Sequence, residues 1–202
     1  MKLKIADLEA KLGKKIKRNF SVVGVDTAST TGLGFIKTTD KDIEINWSIV
    51  SFEANTIQEL YVQMYEEFGK FLDNSVKLVV VEDVFLGPSP SVTIKLARFG
   101  GLAIAHAINN NVPFATIGPT SARSKLFKID RVKYKGKPKE AVADYLKSIG
   151  IVIDENNAAD GIVLALLGII DGMDFRSQDE IKKATKKKRS PKKKTSKKRC
   201  RR

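Results

Sequence analysis

Residues 21–35 read SVVGVDTASTTGLGF, a segment in which a carboxylate ends an apolar run. The run 22–25 predicts a strand, and the small and hydroxyl residues after Asp26 predict a turn into a second strand. A lone carboxylate in an apolar strand is costly to bury unless something pairs with it. Asp26 is therefore either a turn residue satisfied by the hydroxyls that follow or one ligand of a cation site.

Two later segments also place a carboxylate beside apolar residues. Residues 76–85 read VKLVVVEDVF, so a strand buried on both faces ends at Glu82, which is either half of an ion pair or a second ligand. Residues 157–167 read NAADGIVLALL and predict a buried helix with Asp160 in its first turns. Asn157 lies three residues earlier, on the same helix face.

Length, cysteine content and hydropathy limit the class of protein. The 202 residues suffice for one domain, and the single cysteine, Cys200, excludes a disulfide within the chain. We see no secretory signal, and the longest apolar run, 162–170, is too short to span a bilayer. We therefore expect an intracellular protein with no membrane association.

The net charge of +14 is unevenly distributed. Residues 181–202 contain 14 Lys and Arg and no acidic residue, which accounts for the whole excess. Residues 1–18 and 123–139 are also basic, so the rest of the chain is acidic. This distribution favours a polyanionic partner held near a carboxylate cluster.

Apolar periodicity predicts an α/β domain with five strands. A short amphipathic helix is expected within 1–18, and the segment 123–139 is expected to be a cationic loop or a frayed helix. The other strands are predicted at 33–38, 43–52 and 113–117, and the other helices at 56–72, 91–109 and 139–148.

Adjacent strands in one sheet would bring Asp26, Glu82 and Asp160 together. Clustered carboxylates repel one another, and their pKa values rise unless cations hold them. Mg²⁺ takes oxygen ligands of this kind, and two such ions can activate water for phosphodiester hydrolysis.

The element order and three motifs resemble the RNase H-like superfamily, specifically the RuvC-type Holliday junction resolvases. The resemblance implies an RNase H-like, five-stranded mixed sheet flanked by helices, in a domain spanning 20–172. A basic amphipathic extension, 1–19, precedes it, and a disordered Lys/Arg-rich tail, 173–202, follows. The matching segments are GVDTASTTG at 24–32, VEDVF at 81–85 with KLARFGGLAI at 95–104, and AADGIVLA at 158–165.

Carried over by position, the resemblance makes Asp26, Glu82 and Asp160 metal ligands. Asn157 stands where the family usually has a fourth carboxylate, and Asp154 or Glu155 could compensate for the missing charge. Lys139 matches a lysine that stabilises charge on the scissile phosphate, although Lys137 is close enough to compete for this role. The resemblance implies that Asp26, Glu82, Asp160 and Asn157 bind two Mg²⁺ ions, with Mn²⁺ as a substitute. These four residues and Lys139 form the implied catalytic set.

The implied activity is metal-dependent cleavage of branched DNA by a homodimer, through paired hydrolysis at four-way junctions in recombination, repair or genome processing. A junction-binding protein made weak or inactive by Asn157 is the alternative. A third hypothesis, an actin-like or sugar-kinase-like phosphotransferase, would need a longer chain. The tail would raise DNA affinity or direct nuclear import, so the protein would act with DNA in the cytoplasm, nucleoid or nucleus. The expected DNA contacts are Lys95, Arg98, Arg123, Lys125, Lys128, Arg131, Lys133, Lys135 and Lys137.

Overall fold

The computed structural model describes residues 1–28, 30–72, 75–84, 89–127 and 134–175. The basic tail from residue 176 onward and the predicted DNA contacts Lys128, Arg131 and Lys133 lie outside these ranges.

Strands and helices are interspersed along the chain, as expected for an α/β domain. Among the helices in the described ranges, none has the length and apolar character needed to cross a bilayer. The strands are β1 (Lys2–Lys4), β2 (Ser21–Asp26), β3 (Thr30–Thr38), β4 (Asp42–Ser51), β5 (Leu78–Glu82) and β6 (Phe114–Ile117). The helices are α1 (Ile5–Leu12), α2 (Ile57–Phe71), α3 (Pro90–Asn109), α4 (Pro119–Leu126), α5 (Pro138–Ser148) and α6 (Asn156–Ile169).

The mixed sheet has the order β1-β4-β3-β2-β5-β6, so it contains six strands rather than the predicted five. β2 runs parallel to β5 and β5 parallel to β6, whereas the other neighbours are antiparallel. The additional strand is β1, whose three residues pair with the start of β4. A strand this short has too few residues to show an alternating pattern, so the sequence predicted a helix there.

The N-terminal extension is part of the domain core. Ile5 and Leu8 of α1 are 1% exposed and pack in the same apolar cluster as α6. Ile16 forms an isolated bridge with Ile170 just beyond α6. The N-terminal extension therefore packs on the domain that follows it.

The sheet is covered on both faces. α1, α5 and α6 share one apolar cluster with residues of β2 to β6, and α2 and α3 share a second cluster on the opposite face. α2 begins with a capping box between Thr56 and Glu59, as the sequence predicts. On α3, His106 is buried against the Tyr65 ring at a centroid distance of 3.9 Å, and neither of its ring nitrogens has a hydrogen-bond partner within the described residues.

Glycines allow α6 to lie directly on the middle strands. A Cβ atom at Gly24 of β2 would lie 2.1 Å from the carbonyl oxygen of Gly161, and one at Gly34 of β3 would lie 2.5 Å from the same atom. Real Cβ atoms do not approach this closely, so these positions exclude side chains. The contact fixes the N-terminal half of α6, which carries Asn157 and Asp160, against the strand that ends in Asp26.

Candidate active site

Asp26 and Glu82 lie side by side at the ends of two parallel strands. β2 and β5 pair with Val25 opposite Val81, so the next residue of each strand leaves the sheet at the same edge. The two carboxyl groups share a hydrogen bond. This arrangement brings together two of the three carboxylates that the sequence analysis selected.

Both acids hold protons more tightly than usual. Burial, reinforced by the charge of Asp160, raises the pKa of Asp26 to about 6, while Lys139 and Arg123 act in the opposite direction. Burial, with the charges of Asp26 and Asp160, raises the pKa of Glu82 to about 8. Near neutral pH, Glu82 therefore keeps its proton and donates the hydrogen bond to Asp26.

Asp160 is paired with an arginine. Nε of Arg123 donates to Oδ1 at 3.0 Å, and Nη2 donates to Oδ2 at 2.7 Å. The Asp160 side chain is only 7% exposed and that of Arg123 15%. A buried bidentate pair of this kind fixes the geometry of both groups.

Asn157 and Lys139 meet at the solvent side of the cluster. Nζ of Lys139, near the start of α5, donates to Oδ1 of Asn157 at 3.0 Å. Lys137 instead pairs with Glu140 at 2.9 Å. Of the two lysines that compete in the sequence analysis, only Lys139 contacts the predicted site.

Of the two acidic residues that could compensate for Asn157, Asp154 forms a hydrogen bond outside the cluster. Oδ1 of Asp154 accepts a hydrogen bond of 3.1 Å from the indole nitrogen of Trp47. Its position therefore gives no support to the idea that it replaces the missing fourth carboxylate.

The segment 123–139 was expected to be a cationic loop or a frayed helix. Its first residues, Arg123 and Lys125, lie on α4, a helix that begins at Pro119, ahead of the predicted segment. Within α4, Lys125 donates to the carbonyl oxygen of Asp174 at 2.7 Å.

The pairing of Arg123 with Asp160 is also absent from the sequence prediction, which treated Arg123 only as a DNA contact. Their separation of 37 residues leaves no local signal for the pair. Three other predicted DNA contacts, Lys95, Arg98 and Lys135, have exposed side chains.

The donor set has the chemistry of a hard-cation site. Asp26, Glu82 and Asp160 supply carboxylate oxygens and Asn157 a carbonyl oxygen, the ligand types that Mg²⁺ prefers. In the part of the chain that is described, however, no three His, Cys, Asp or Glu side chains are arranged to hold a metal ion. The proton on Glu82 and the guanidinium of Arg123 supply the positive charge instead. These residues could hold a divalent cation once it displaces the proton of Glu82 and the guanidinium of Arg123.

A cleft of about 420 Å³ opens beside this cluster. Glu82 and Arg123 line it together with apolar residues of α3, among them Val92 and Leu96. Glu82 and Arg123 are therefore open to a ligand from this side.

Two sequence comparisons with known proteins find the same family. The family model for crossover junction endodeoxyribonuclease RuvC matches residues 22–168. The chain is 25% identical over 153 residues to crossover junction endodeoxyribonuclease RuvC of Actinobacillus succinogenes, covering 72% of this chain and 76% of that protein.

Two solved structures of RuvC from Thermus thermophilus share the fold. The structure in complex with a Holliday junction substrate has a TM-score of 0.57 at 19% identity, covering 73% of this chain and 91% of the other. A second structure has a TM-score of 0.53 at 18% identity, covering 75% and 98%. The RNase H-like fold expected from the sequence is thereby confirmed. Because the family match extends over most of the chain and includes Asp26, Glu82 and Asp160, the protein belongs to the crossover junction endodeoxyribonuclease RuvC family.

Proposed function

We propose that this protein is an endonuclease that resolves four-way DNA junctions by paired phosphodiester hydrolysis, in recombination, repair or genome processing. The observation that carries the proposal is the convergence of Asp26, Glu82 and Asp160 at one edge of the sheet. Lys139 lies close enough to lower the pKa of Asp26. Family membership supports the same activity. Such an enzyme would act inside the cell, where its DNA is.

Asp26, Glu82 and Asp160 would hold the divalent metal on which members of this family generally depend, with Asn157 as a neutral fourth ligand. We favour two Mg²⁺ ions, with Mn²⁺ as a substitute, which would neutralise charge on the phosphate and make water a better nucleophile. No side chain in the cluster is a strong nucleophile, so water attacks and no covalent intermediate forms. Glu82 must lose its proton before it binds a cation.

Lys139 is placed to stabilise the transition state. Its ammonium group lies at the exposed side of the cluster, held by a neutral amide rather than by a carboxylate. Because its hydrogen-bond partner Asn157 is neutral, the charge of Lys139 remains available to a phosphate oxygen.

The exposed cations would position the DNA backbone. Lys95 and Arg98 lie on α3, whose N-terminal part borders the cleft, and Lys135 and Lys137 precede α5. Contacts of this kind set affinity and register without reading the base sequence. We extend the same role to Arg123, Lys125, Lys128, Arg131, Lys133 and the basic tail.

A homodimer would match the two-fold symmetry of a four-way junction. One face of α3 supports this assembly, because Ile94 and Ile108 are 52% and 57% exposed. Between them, Ala97 is exposed and a Cβ atom at Gly101 would meet no neighbouring atom. Small residues four positions apart allow two helices to approach closely, so we propose that a second copy of α3 packs on this face.

A second candidate is a protein that binds junctions but cleaves them weakly or not at all. Two observations favour it: Asn157 brings no charge, and Arg123 occupies both oxygens of Asp160. Either feature would weaken metal binding.

The two candidates differ in the products formed from a synthetic four-way junction. Junction and matched linear duplex would be incubated with the protein in Mg²⁺ and then in Mn²⁺, with binding followed separately in Ca²⁺. Paired nicks in the junction alone would support the nuclease. Tight, salt-sensitive junction binding without nicks in either metal would instead support the binding protein.

A further inference from the structure

The pairing of Arg123 with Asp160 occupies a carboxylate that the proposed function needs. Both oxygens of Asp160 accept hydrogen bonds from the same guanidinium. Asp160 is also in electrostatic contact with Asp26 and Glu82, so a cation shared by the three acids would have to take one of these oxygens. Arginine and metal therefore compete for the same atoms.

Loss of a proton cannot release Arg123 from Asp160, because the guanidinium group remains charged in proteins. A divalent cation entering next to it would be repelled. It would bind well only if the guanidinium moved away from Asp160.

The cleft gives the guanidinium a place to go. Arg123 lines the cleft together with Glu82, so its side chain borders the space through which a ligand would reach Glu82. An arginine at this opening, freed from its carboxylate, has the planar set of donors that binds a phosphate through two hydrogen bonds.

We propose that Arg123 is a positioning residue that serves as the internal counter-ion of Asp160 until a divalent cation displaces it, after which its guanidinium binds a phosphate of the DNA. This inference deepens the proposed function and rests on its metal site. It makes metal binding and DNA binding mutually favourable, because both favour the state in which Arg123 has left Asp160. A fixed structural pair, by contrast, would remain intact when metal binds.

Lys125 provides a matched comparison on the same helix. It is also a cation of α4, but it donates to the backbone carbonyl of Asp174 rather than to a carboxylate of the cluster. Arg123→Gln and Lys125→Gln remove the same formal charge, and only the first frees Asp160. Arg123→Lys keeps the charge and removes the bidentate contact.

The first experiment measures binding of Mn²⁺ alone, without DNA, from the electron paramagnetic resonance signal of the free ion. We expect Arg123→Gln to lower the dissociation constant about tenfold or more relative to wild type, and Arg123→Lys to lower it by less. Lys125→Gln should change it less than threefold. Equal effects of the two glutamine variants would overturn the proposal, because the gain would then reflect overall charge.

The second experiment uses the unmodified protein, so it does not depend on whether a variant folds. The Nε–H resonance of Arg123, assigned by its loss in Arg123→Lys, is followed by nuclear magnetic resonance during a Mg²⁺ titration. We expect this signal to move or exchange with solvent at the same Mg²⁺ concentration at which the backbone amide signals of Asp26 and Glu82 shift. An unchanged signal while those amides shift would contradict displacement.

The results separate the two proposals. Absence of any saturable Mn²⁺ or Mg²⁺ binding in the wild-type protein would contradict the metal site and this inference together. Metal binding that leaves the Arg123 signal unchanged would contradict only the inference.

Discussion

Lys139 donates a hydrogen bond of 3.0 Å from Nζ to Oδ1 of Asn157, joining the start of α5 to the first turn of α6. The acceptor is an amide, so it orients the lysine without neutralising it. The charge of Lys139 instead lowers the pKa of Asp26, opposing the larger effect of burial. The cluster thus contains three carboxylates and one neutral amide, and the amide holds its lysine.

Adding a fourth carboxylate at position 157 should strengthen metal binding. We expect Asn157→Asp to lower the Mg²⁺ concentration that gives half-maximal junction cleavage by roughly tenfold, about 1.4 kcal/mol, because a charged ligand replaces a neutral one. Asn46→Asp, the same change on the exposed part of β4, serves as the control. An unchanged or higher midpoint for Asn157→Asp would show that Lys139 takes up the new charge.

The metal-free protein should lose stability as the pH rises from about 5 to about 8. An isolated glutamate carboxyl titrates near 4.5, whereas burial raises the pKa of Glu82 to about 8, so the folded state binds more protons in this interval. Stability therefore falls with rising pH, by at most about 1.4 kcal/mol per pH unit from this group. The stabilisation is complete below pH 4.5 and is lost as the pH passes 8.

Urea unfolding in EDTA at pH 5, 6.5 and 8 measures this slope. Glu82→Gln should give a flatter dependence than wild type, whereas Glu53→Gln, at an exposed loop position, should not. Parallel pH dependences for wild type and Glu82→Gln would refute the assignment of the proton to Glu82.

The close contact between α6 and the sheet should tolerate no added methyl group. Gly34→Ala places Cβ 2.5 Å from the carbonyl oxygen of Gly161, and we expect it to destabilise the protein by about 3 kcal/mol by moving α6 outward. Gly100→Ala in α3 is the matched control, because its nearest contact would be an ordinary 3.6 Å from Val81. The control should be more stable by about 1 kcal/mol, from helix propensity. Equal urea midpoints for the two variants would be inconsistent with the proposed packing.

The exposed face of α3 should carry the dimer contact. Ile108→Lys places a charge on that face, so we expect a shift from dimer to monomer in light scattering and loss of simultaneous nicking of the two strands. Val152→Lys changes an equally exposed apolar residue, 62% exposed, that lies outside α3. If both variants keep the mass of the wild type, α3 is not the interface.

The sequence was sufficient for the features that local patterns encode. Asp26 and Glu82 could be predicted because each ends an apolar strand, and Asp160 because a charged residue interrupts a buried helix. α4 was missed because only Ala122 of its eight residues is buried, which leaves little apolar periodicity to detect. The partner of Asp160 depends on how α4 packs on α6, and this is a property of the tertiary structure alone.

The most direct test of the central claim is single-turnover cleavage of a symmetric four-way junction by wild type and by Asp26→Asn, Glu82→Gln and Asp160→Asn, with junction binding measured in parallel. We predict symmetric paired nicks for wild type, and a loss of at least a hundredfold in rate for each variant with junction binding retained. If any one of the three variants nicks the junction at the wild-type rate, the assignment of these carboxylates as the site of hydrolysis is contradicted.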